Sequence, residues 1–224
     1  MIDIEHVSKH FGPVQALKDI SLRIMPDERV AFVGSNGSGK TTLLRALLGL
    51  SRIRGQIRIA GHDVAAHPEL ALAYVAYVPQ IAPPLEAPVS EVLAAYAALR
   101  GIECTHVAEQ AARMGLASSE LARVRFRDLS GGMKQKLLAA LALATPAPIL
   151  VCDEPTSNLD AAARHAFFGA LEHREPGSIL ILCSHREEEV HSYVERVIEL
   201  RDGALLRDER LQKSARPHLQ VVSC

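Results

Sequence analysis

The sequence predicts an α/β fold in which a mainly parallel sheet is flanked by helices. Short, continuous apolar runs recur along the chain between stretches of helical character, which is typical of strands buried on both faces. The first segment instead alternates apolar and polar residues, which predicts antiparallel strands ahead of that sheet. A proline-rich start followed by alanine-rich helix predicts a helical insertion at about 83–140. We therefore expect one domain covering residues 1–224.

The N-terminal elements follow from these patterns in order. Residues 2–7 and 20–24 alternate at period two, and a Gly-Pro turn at 12–13 lies between them. Residues 30–33 form an apolar run that predicts a strand buried on both faces. A glycine-rich turn follows, and residues 40–48 then read as a helix that stops at a glycine.

The later strands are shorter and more apolar. An Asp-Gly turn at 202–203 predicts a hairpin near the end of the chain, with residues 204–206 as its second strand. The tail at 207–224 mixes charges without a clear period, and we expect it to be frayed. The other predicted strands lie at 74–78, 149–152, 179–183 and 197–200.

Composition and charge exclude several classes of function. Of the 224 residues 48% are apolar, and 25 basic residues against 26 acidic ones leave a formal net charge of −1. Proteins that bind nucleic acid and polybasic membrane anchors carry an excess of positive charge, so we expect neither. The four cysteines show no paired spacing, which fits a reducing compartment. Neither a signal peptide nor a spanning segment is recognisable, and we expect a soluble intracellular protein.

Residues 34–41 match the pattern G-x-x-x-x-G-K-[ST] in full, directly after an apolar strand and before a helix. Glycines let backbone N–H groups turn towards phosphate oxygens, and the N-terminus of the helix adds the positive end of the helix dipole. Lys40 would reach the β- and γ-phosphates of a nucleotide, and the hydroxyl of Thr41 would hold Mg²⁺. The predicted phosphate-binding residues are Gly34, Ser35, Asn36, Gly37, Ser38, Gly39, Lys40, Thr41 and Thr42.

An apolar strand at 149–152 ends in two acidic residues, Asp153 and Glu154. A buried strand would aim Asp153 at the Mg²⁺ ion, and Glu154 could polarise a water for attack on the γ-phosphate. In isolation the pair could be an acidic turn after a core strand. Beside a phosphate-binding loop, it predicts hydrolysis of a nucleoside triphosphate.

A second glycine motif lies at 129–136, Leu-Ser-Gly-Gly-Met-Lys-Gln-Lys. Ser130 reads as the N-cap of a helix, and Gly131 and Gly132 expose its backbone as a second anion-binding surface. With the two preceding motifs, the chain resembles the nucleotide-binding subunit of the ATP-binding-cassette (ABC) transporter superfamily, whose signature is Leu-Ser-Gly-Gly-Gln. Met133 departs from the signature at its fifth place, but the serine and glycines are intact.

The resemblance covers about 2–206 and implies the P-loop NTPase fold of ABC type. It also implies further site residues. Gln80 would contact Mg²⁺ and the attacking water, and His185 would contact the γ-phosphate. Asp160 belongs to a segment that crosses the dimer interface, and Phe11 takes the place of the aromatic residue that stacks on adenine.

The resemblance further implies that each ATP lies between the phosphate-binding loop of one subunit and Ser130, Gly131 and Gly132 of a second, for which we expect a homodimer. The leading hypothesis is an ATPase subunit on the inner face of the cell membrane that drives a separate permease, docked near the Gln80 loop and the helical insertion. Export is favoured over import because residues 132–137 are similar to exporters with a separate permease. The alternative is a soluble ABC ATPase of an iron–sulfur assembly scaffold.

Overall fold

Two β-sheets frame the fold in the computed structural model, which describes residues 1–116, 123–184 and 186–211. The strands are β1 (Ile2–Phe11), β2 (Val14–Ile24), β3 (Arg29–Val33), β4 (Arg54–Ile59), β5 (His62–Asp63), β6 (Val75–Val78), β7 (Ile149–Asp153), β8 (Ile179–Cys183), β9 (Arg196–Arg201) and β10 (Ala204–Arg210). The helices are α1 (Lys40–Leu47), α2 (Pro68–Leu72), α3 (Val89–Arg100), α4 (Cys104–Arg113), α5 (Gly131–Ala144), α6 (Ala161–Glu172) and α7 (Glu187–Tyr193).

The larger sheet has six strands in the order β10-β9-β3-β8-β7-β6. All its pairs are parallel except β9 with β10, which form the predicted hairpin. This arrangement confirms the predicted fold class. Because parallel strands end at the same edge of a sheet, the segments that follow β3, β6, β7 and β8 gather there.

The smaller sheet is antiparallel, in the order β2-β1-β4-β5. The predicted N-terminal antiparallel strands are confirmed as β1 and β2, which turn at 12–13. Strands β4 and β5 were not predicted from the sequence. In β4 only Ile57 and Ile59 are buried apolar residues, so its pattern is too polar to indicate a strand. Its pairing with β1 makes it one.

The larger sheet is buried on both faces, as the continuous apolar runs predict. Along β7, Leu150 packs with one hydrophobic cluster and its neighbour Val151 packs with the other. The first cluster includes Phe167 of α6 and Leu137 of α5. The second includes Leu43 of α1 and fills the space between the two sheets. Successive strand residues point to opposite faces, so helices and the small sheet sandwich the large one.

The described part of the segment at 83–140 is helical, with α3, α4, a short 3₁₀ turn (Phe126–Asp128) and most of α5. Its extent as an inserted subdomain stays a prediction. Among the described residues, no helix combines the length and the hydropathy needed to cross a bilayer.

The C-terminal prediction needs a correction. The sequence indicated a last strand at 204–206, with a frayed tail from 207. In the structure β10 continues to Arg210. Its outer half is charged and exposed, so no apolar alternation marks it, but pairing with β9 and two hydrogen bonds from Arg196 to Asp208 hold it in the sheet. The rest of the predicted tail, 212–224, lies outside the described residues.

Candidate functional site

The loop between β3 and α1 is wedged tightly against its neighbours. Gly34 and Gly39 have φ angles of 139° and 108°, a region that glycine adopts far more readily than other residues. A Cβ atom at Gly34 would lie 2.2 Å from the carbonyl oxygen of Leu200, and one at Gly39 would lie 2.8 Å from that of Ala16. Glycine is therefore required at both positions by conformation and by space.

Helix α1 begins with the chemistry of an anion site. Its N-cap is Gly39, so no N-cap side chain accepts a hydrogen bond from the N–H groups of the first turn. Lys40 Nζ donates to the carbonyl oxygens of Gly34 at 2.7 Å and Ser35 at 3.0 Å, which holds its charge over the loop. The buried hydroxyl of Ser38 makes no hydrogen bond with any described residue. The helix N-terminus, the Ser38 hydroxyl and the ammonium group of Lys40 together fit a chain of phosphates.

The other predicted loop residues lie around this anion site. Ser35, Asn36 and Gly37 are exposed at the tip of the loop, and Thr42 is half-buried in the first turn of α1. Phosphate oxygens can therefore approach the loop from the solvent side.

Asp153 and Thr41 are two of the three residues predicted to contact Mg²⁺, the third being Gln80. Asp153 ends β7 and is 2% exposed, at the sheet edge from which the loop that leads to Thr41 also leaves. Burial raises the pKa of Asp153, and the nearby charge of Glu154 raises it further, against smaller opposite effects of Thr41, Arg45 and Lys40. A carboxylate and a hydroxyl beside a phosphate-binding loop fit Mg²⁺. This ion prefers oxygen ligands, and some of its coordination positions are filled by phosphate oxygens.

Glu154 follows β7 in an unusual backbone conformation. Its φ is +50°, a value uncommon outside glycine and enriched at functional sites. Its N–H donates to the carbonyl oxygen of Cys183 at 2.9 Å, so the end of β8 fixes this turn. Glu154 is half-buried and directly follows Asp153.

Gln80 lies two residues beyond the end of β6 and is exposed. Strands β6 and β7 pair with Val78 opposite Cys152, so Gln80 and Asp153 leave the same edge of the sheet. His185, predicted to contact the γ-phosphate, lies outside the described residues.

The second glycine motif begins α5. Ser130 is its N-cap, as predicted, and accepts a hydrogen bond from the N–H of Met133 at 3.2 Å. Ser130 and Gly131 are exposed. Gly132 packs against the loop that follows β7. A Cβ atom added at Gly132 would lie 2.9 Å from the carbonyl oxygen of Asn158 in that loop. The motif thus presents a helix N-terminus to solvent.

Asp160 is the N-cap of α6 and accepts a hydrogen bond from the N–H of Ala163 at 2.8 Å. It also pairs with Lys136 Nζ at 2.5 Å, and the hydrogen bond from Lys136 lowers the pKa of the carboxyl group. Its contacts within the subunit thus tie α6 to α5.

Phe11 ends β1 with half of its side chain exposed. Lys9 Nζ lies over the ring, 4.8 Å from its centroid. The hairpin that carries Phe11 reaches the phosphate-binding loop, because Ala16 of β2 lies against Gly39. The hairpin that carries the half-exposed ring therefore lies against the phosphate-binding loop.

The structure adds a buried carboxylate that the sequence did not indicate. Glu189 of α7 is 5% exposed and accepts hydrogen bonds from the hydroxyls of Thr156 at 2.6 Å and Ser184 at 2.8 Å. The guanidinium groups of Arg164 and Arg186 lie within 4 Å of it. Glu189 thereby joins the loops that follow β7 and β8. In the sequence it is one of three successive glutamates and carries no distinguishing signal.

Comparison with known families gives one match, described as ABC transporter, over residues 17–157. This stretch includes the phosphate-binding loop, the second glycine motif and the acidic pair.

Curated relatives resemble nearly the whole chain. The ribose import ATP-binding protein RbsA 2 of Streptomyces avermitilis is 33% identical over 94% of this chain, which spans only 44% of that relative's length. The Nod factor export ATP-binding protein I of Rhizobium etli is 34% identical over 93% of this chain and 68% of its own length.

Among solved structures, the dimeric post-hydrolysis form of the ATP-binding cassette MJ0796, bound to ADP and Pi, is similar with a TM-score of 0.82 and 26% identity. That match covers 96% of this chain and 100% of that chain.

Proposed function

The chain belongs to the ABC transporter family and carries its ATPase domain, and from this premise we propose that it binds ATP with Mg²⁺ and uses hydrolysis to drive a permease. The observation that carries the proposal is the buried carboxylate of Asp153 at the sheet edge from which the phosphate-binding loop also leaves, with Glu154 next to it. A hydrolytic base beside a metal and phosphate site is what cleavage of the γ-phosphate requires.

Each part of the site has a separate task in this proposal. Lys40 and the N-terminus of α1 bind the phosphates, and Thr41 and Asp153 hold Mg²⁺. When bound there, Mg²⁺ would neutralise charge on the phosphate oxygens. Glu154 orients a water and accepts its proton, and Gln80 would contact the same water and help to hold the ion. Adenine stacks on Phe11.

The functional unit in this proposal is a dimer with two ATP molecules between its subunits. Each phosphate-binding loop faces Ser130, Gly131 and Gly132 of the partner, and His185 and Asp160 act near the interface. The exposed helix N-terminus at Ser130 supports this arrangement because it offers N–H groups to an anion held by another chain. The similar cassette structure is itself dimeric.

The permease in this proposal docks near the Gln80 loop and the helical segment at 83–140, which places the chain on the inner face of the cell membrane. The ribose relative imports and the Nod factor relative exports, so the two comparisons do not favour a direction. Export remains a prediction from residues 132–137. No finding favours the iron–sulfur scaffold alternative.

Replacement of Glu154 by glutamine tests the catalytic assignment. Glu154→Gln keeps the size of the side chain but removes its basicity, so turnover should fall by about 10²- to 10⁴-fold. ATP binding should persist, because one carboxylate fewer repels the γ-phosphate. The variant should therefore run as a dimer with ATP and as a monomer with ADP in size-exclusion chromatography.

Asp153→Asn provides the contrast. It removes charge from the Mg²⁺ ligand, so calorimetry should show weaker ATP·Mg²⁺ binding together with slower phosphate release. Near-normal hydrolysis by Glu154→Gln, with no dimer trapped by ATP, would reject the role of Glu154 as the base.

A further inference from the structure

Gln135 lies in the second turn of α5 with its side chain inside the protein, 2% exposed. Its amide nitrogen donates hydrogen bonds to the carbonyl oxygens of Pro79 at 3.3 Å and Pro155 at 3.1 Å. Pro79 directly precedes Gln80, and Pro155 directly follows Glu154. One side chain therefore contacts the peptide units next to two residues that the proposed function places in catalysis.

A primary amide suits this position because it carries two N–H groups on one nitrogen. Each N–H can serve one of the two carbonyl groups. Proline has no backbone N–H, so the carbonyl is the only backbone hydrogen-bonding group at Pro79 and at Pro155. A buried carbonyl that loses its donor is costly, which keeps both loops within reach of the amide.

The helix that carries Gln135 starts at the second glycine motif. Ser130 caps α5 five residues earlier, which is about 7.5 Å along the helix axis. A helix is stiff over this length, so a displacement of its N-terminus also displaces Gln135. Gln135 then pulls on the loop of Gln80 and on that of Glu154 together.

We propose that Gln135 is a positioning residue that holds Gln80 and Glu154 at a fixed spacing and links their position to that of the second glycine motif. The inference rests on the proposed function, in which that motif contacts the nucleotide of the partner subunit. Contact with the partner's nucleotide thereby sets the geometry of the hydrolytic site in the same chain as the motif.

Gln135→Met tests this role because methionine fills a similar volume and donates no hydrogen bond. Misplacing reacting groups by about 1 Å costs up to about 100-fold in rate, so kcat should fall by roughly 10- to 100-fold. The affinity of the full chain for ATP, measured by calorimetry, should stay within about twofold, since the two hydrogen bonds of the Gln135 amide nitrogen go to Pro79 and Pro155, outside the phosphate-binding loop. Gln110→Met, at a buried glutamine of α4, is the matched control and should leave kcat unchanged.

A double-mutant cycle separates positioning from general loss of structure. If Gln135 acts through Glu154, Gln135→Met should slow single-turnover hydrolysis much less in the Glu154→Gln background than in the wild type. Gln135→Glu, of equal size but unable to donate when ionised, should behave as Gln135→Met does. It also serves as the second variant if the methionine variant does not fold, with ATP binding as the check of folding.

The outcomes distinguish this inference from the proposed function. Wild-type kcat in folded Gln135→Met, or equal fold-losses in both backgrounds, overturns the positioning role while an inactive Glu154→Gln leaves the proposed function standing. Absence of ATP hydrolysis in the wild-type chain overturns the proposed function itself, whereas an active Glu154→Gln rejects only the role of Glu154 as the base. An equal loss of kcat in Gln110→Met would show that any buried glutamine of this segment matters, and would overturn the specific role of Gln135.

Discussion

Lys40 contributes charge to a loop that is otherwise uncharged along residues 34–41. Its ammonium donates to two carbonyl oxygens of its own loop, which keeps the long side chain folded over the phosphate-binding surface. A phosphate chain gives this group stronger acceptors, because hydrogen bonds between charged partners are about twice as strong as neutral ones. Binding therefore exchanges two neutral acceptors for charged oxygens in almost the same place.

Lys40→Ala should weaken ATP·Mg²⁺ binding at least about tenfold. Each charged hydrogen bond contributes about 1.5–3 kcal/mol, and about 1.4 kcal/mol is one factor of ten in affinity. Isothermal titration calorimetry gives the affinity directly. Lys18→Ala, at an exposed lysine of β2, is the matched control and should bind as the wild type does. Unchanged affinity in Lys40→Ala would contradict the assignment of the phosphate-binding loop.

The sequence predicts the residues whose spacing is local and leaves out those whose partners are distant. Residues 34–41 are contiguous, in one loop and the start of α1, so their pattern is visible in the sequence. Glu189 and Gln135 are ordinary helix residues until the fold brings hydroxyl or carbonyl groups from other loops to them. A glutamine that serves two backbone carbonyls leaves no pattern in the chain, because carbonyl groups carry no sequence signal.

Among the secondary-structure elements, β10 shows how charge can hold an exposed edge strand. Arg196 of β9 donates to both carboxylate oxygens of Asp208 at 2.7 Å, and also to Glu28 Oε2 at 2.7 Å. The Arg196 side chain is only 13% exposed, which limits screening by water. Hydrogen bonds from Arg196 lower the pKa of Asp208.

Arg196→Ala should lower the free energy of unfolding by about 2 kcal/mol, since it removes charged hydrogen bonds and leaves Glu28 without one partner. For a chain of this length the melting temperature should drop by about 4–8 °C. Arg207→Ala, on the exposed face of β10, is the control and should change stability by less than about 1 kcal/mol. Equal melting temperatures for the two variants would contradict the role of Arg196.

The same pair has a pH signature. A carboxyl group with a lowered pKa stabilises the fold above its unfolded pKa, and this contribution is lost as the pH falls through the folded pKa. The difference in melting temperature between the wild type and Asp208→Asn should thus be full at neutral pH. It should shrink as the pH falls below about 4, the ordinary range of aspartate.

Strand β4 has no apolar pattern that would indicate a strand in the sequence. The apolar runs of β3, β7 and β8 are buried on both faces, so composition alone identifies them. In β4 one face carries Ile57 and Ile59 and the rest is polar, with Gly55 at a φ of +88° next to the carbonyl oxygen of His6. Tertiary pairing with β1 creates that strand, and no local pattern encodes it.

At the scale of the whole molecule, the two anion-binding surfaces differ in how they are completed. The loop before α1 has Lys40, Thr41 and Asp153 gathered at one sheet edge. The N-terminus of α5 exposes Ser130 and Gly131 to solvent. The first four residues of the motif, 129–132, include no lysine. A triphosphate bound to the loop of a second chain would supply the anion that this partly positive helix end attracts. The net charge of −1 opposes dimer formation very little.

Ser130→Arg should therefore abolish turnover and leave ATP binding by the monomer intact. The arginine side chain is too large for a helix N-terminus pressed onto a nucleotide, and it removes the hydroxyl that caps α5. In the wild type the hydrolysis rate per subunit should rise with protein concentration as dimers form, and sedimentation should show those dimers in ATP. Ser90→Arg, at an exposed serine in the first turn of α3, is the control and should retain both dimerisation and turnover.

A rate per subunit independent of concentration, in a chain that sediments as a monomer with ATP, would contradict the two-chain site. Turnover by Ser130→Arg equal to that of Ser90→Arg would likewise show that one subunit hydrolyses ATP without the second glycine motif.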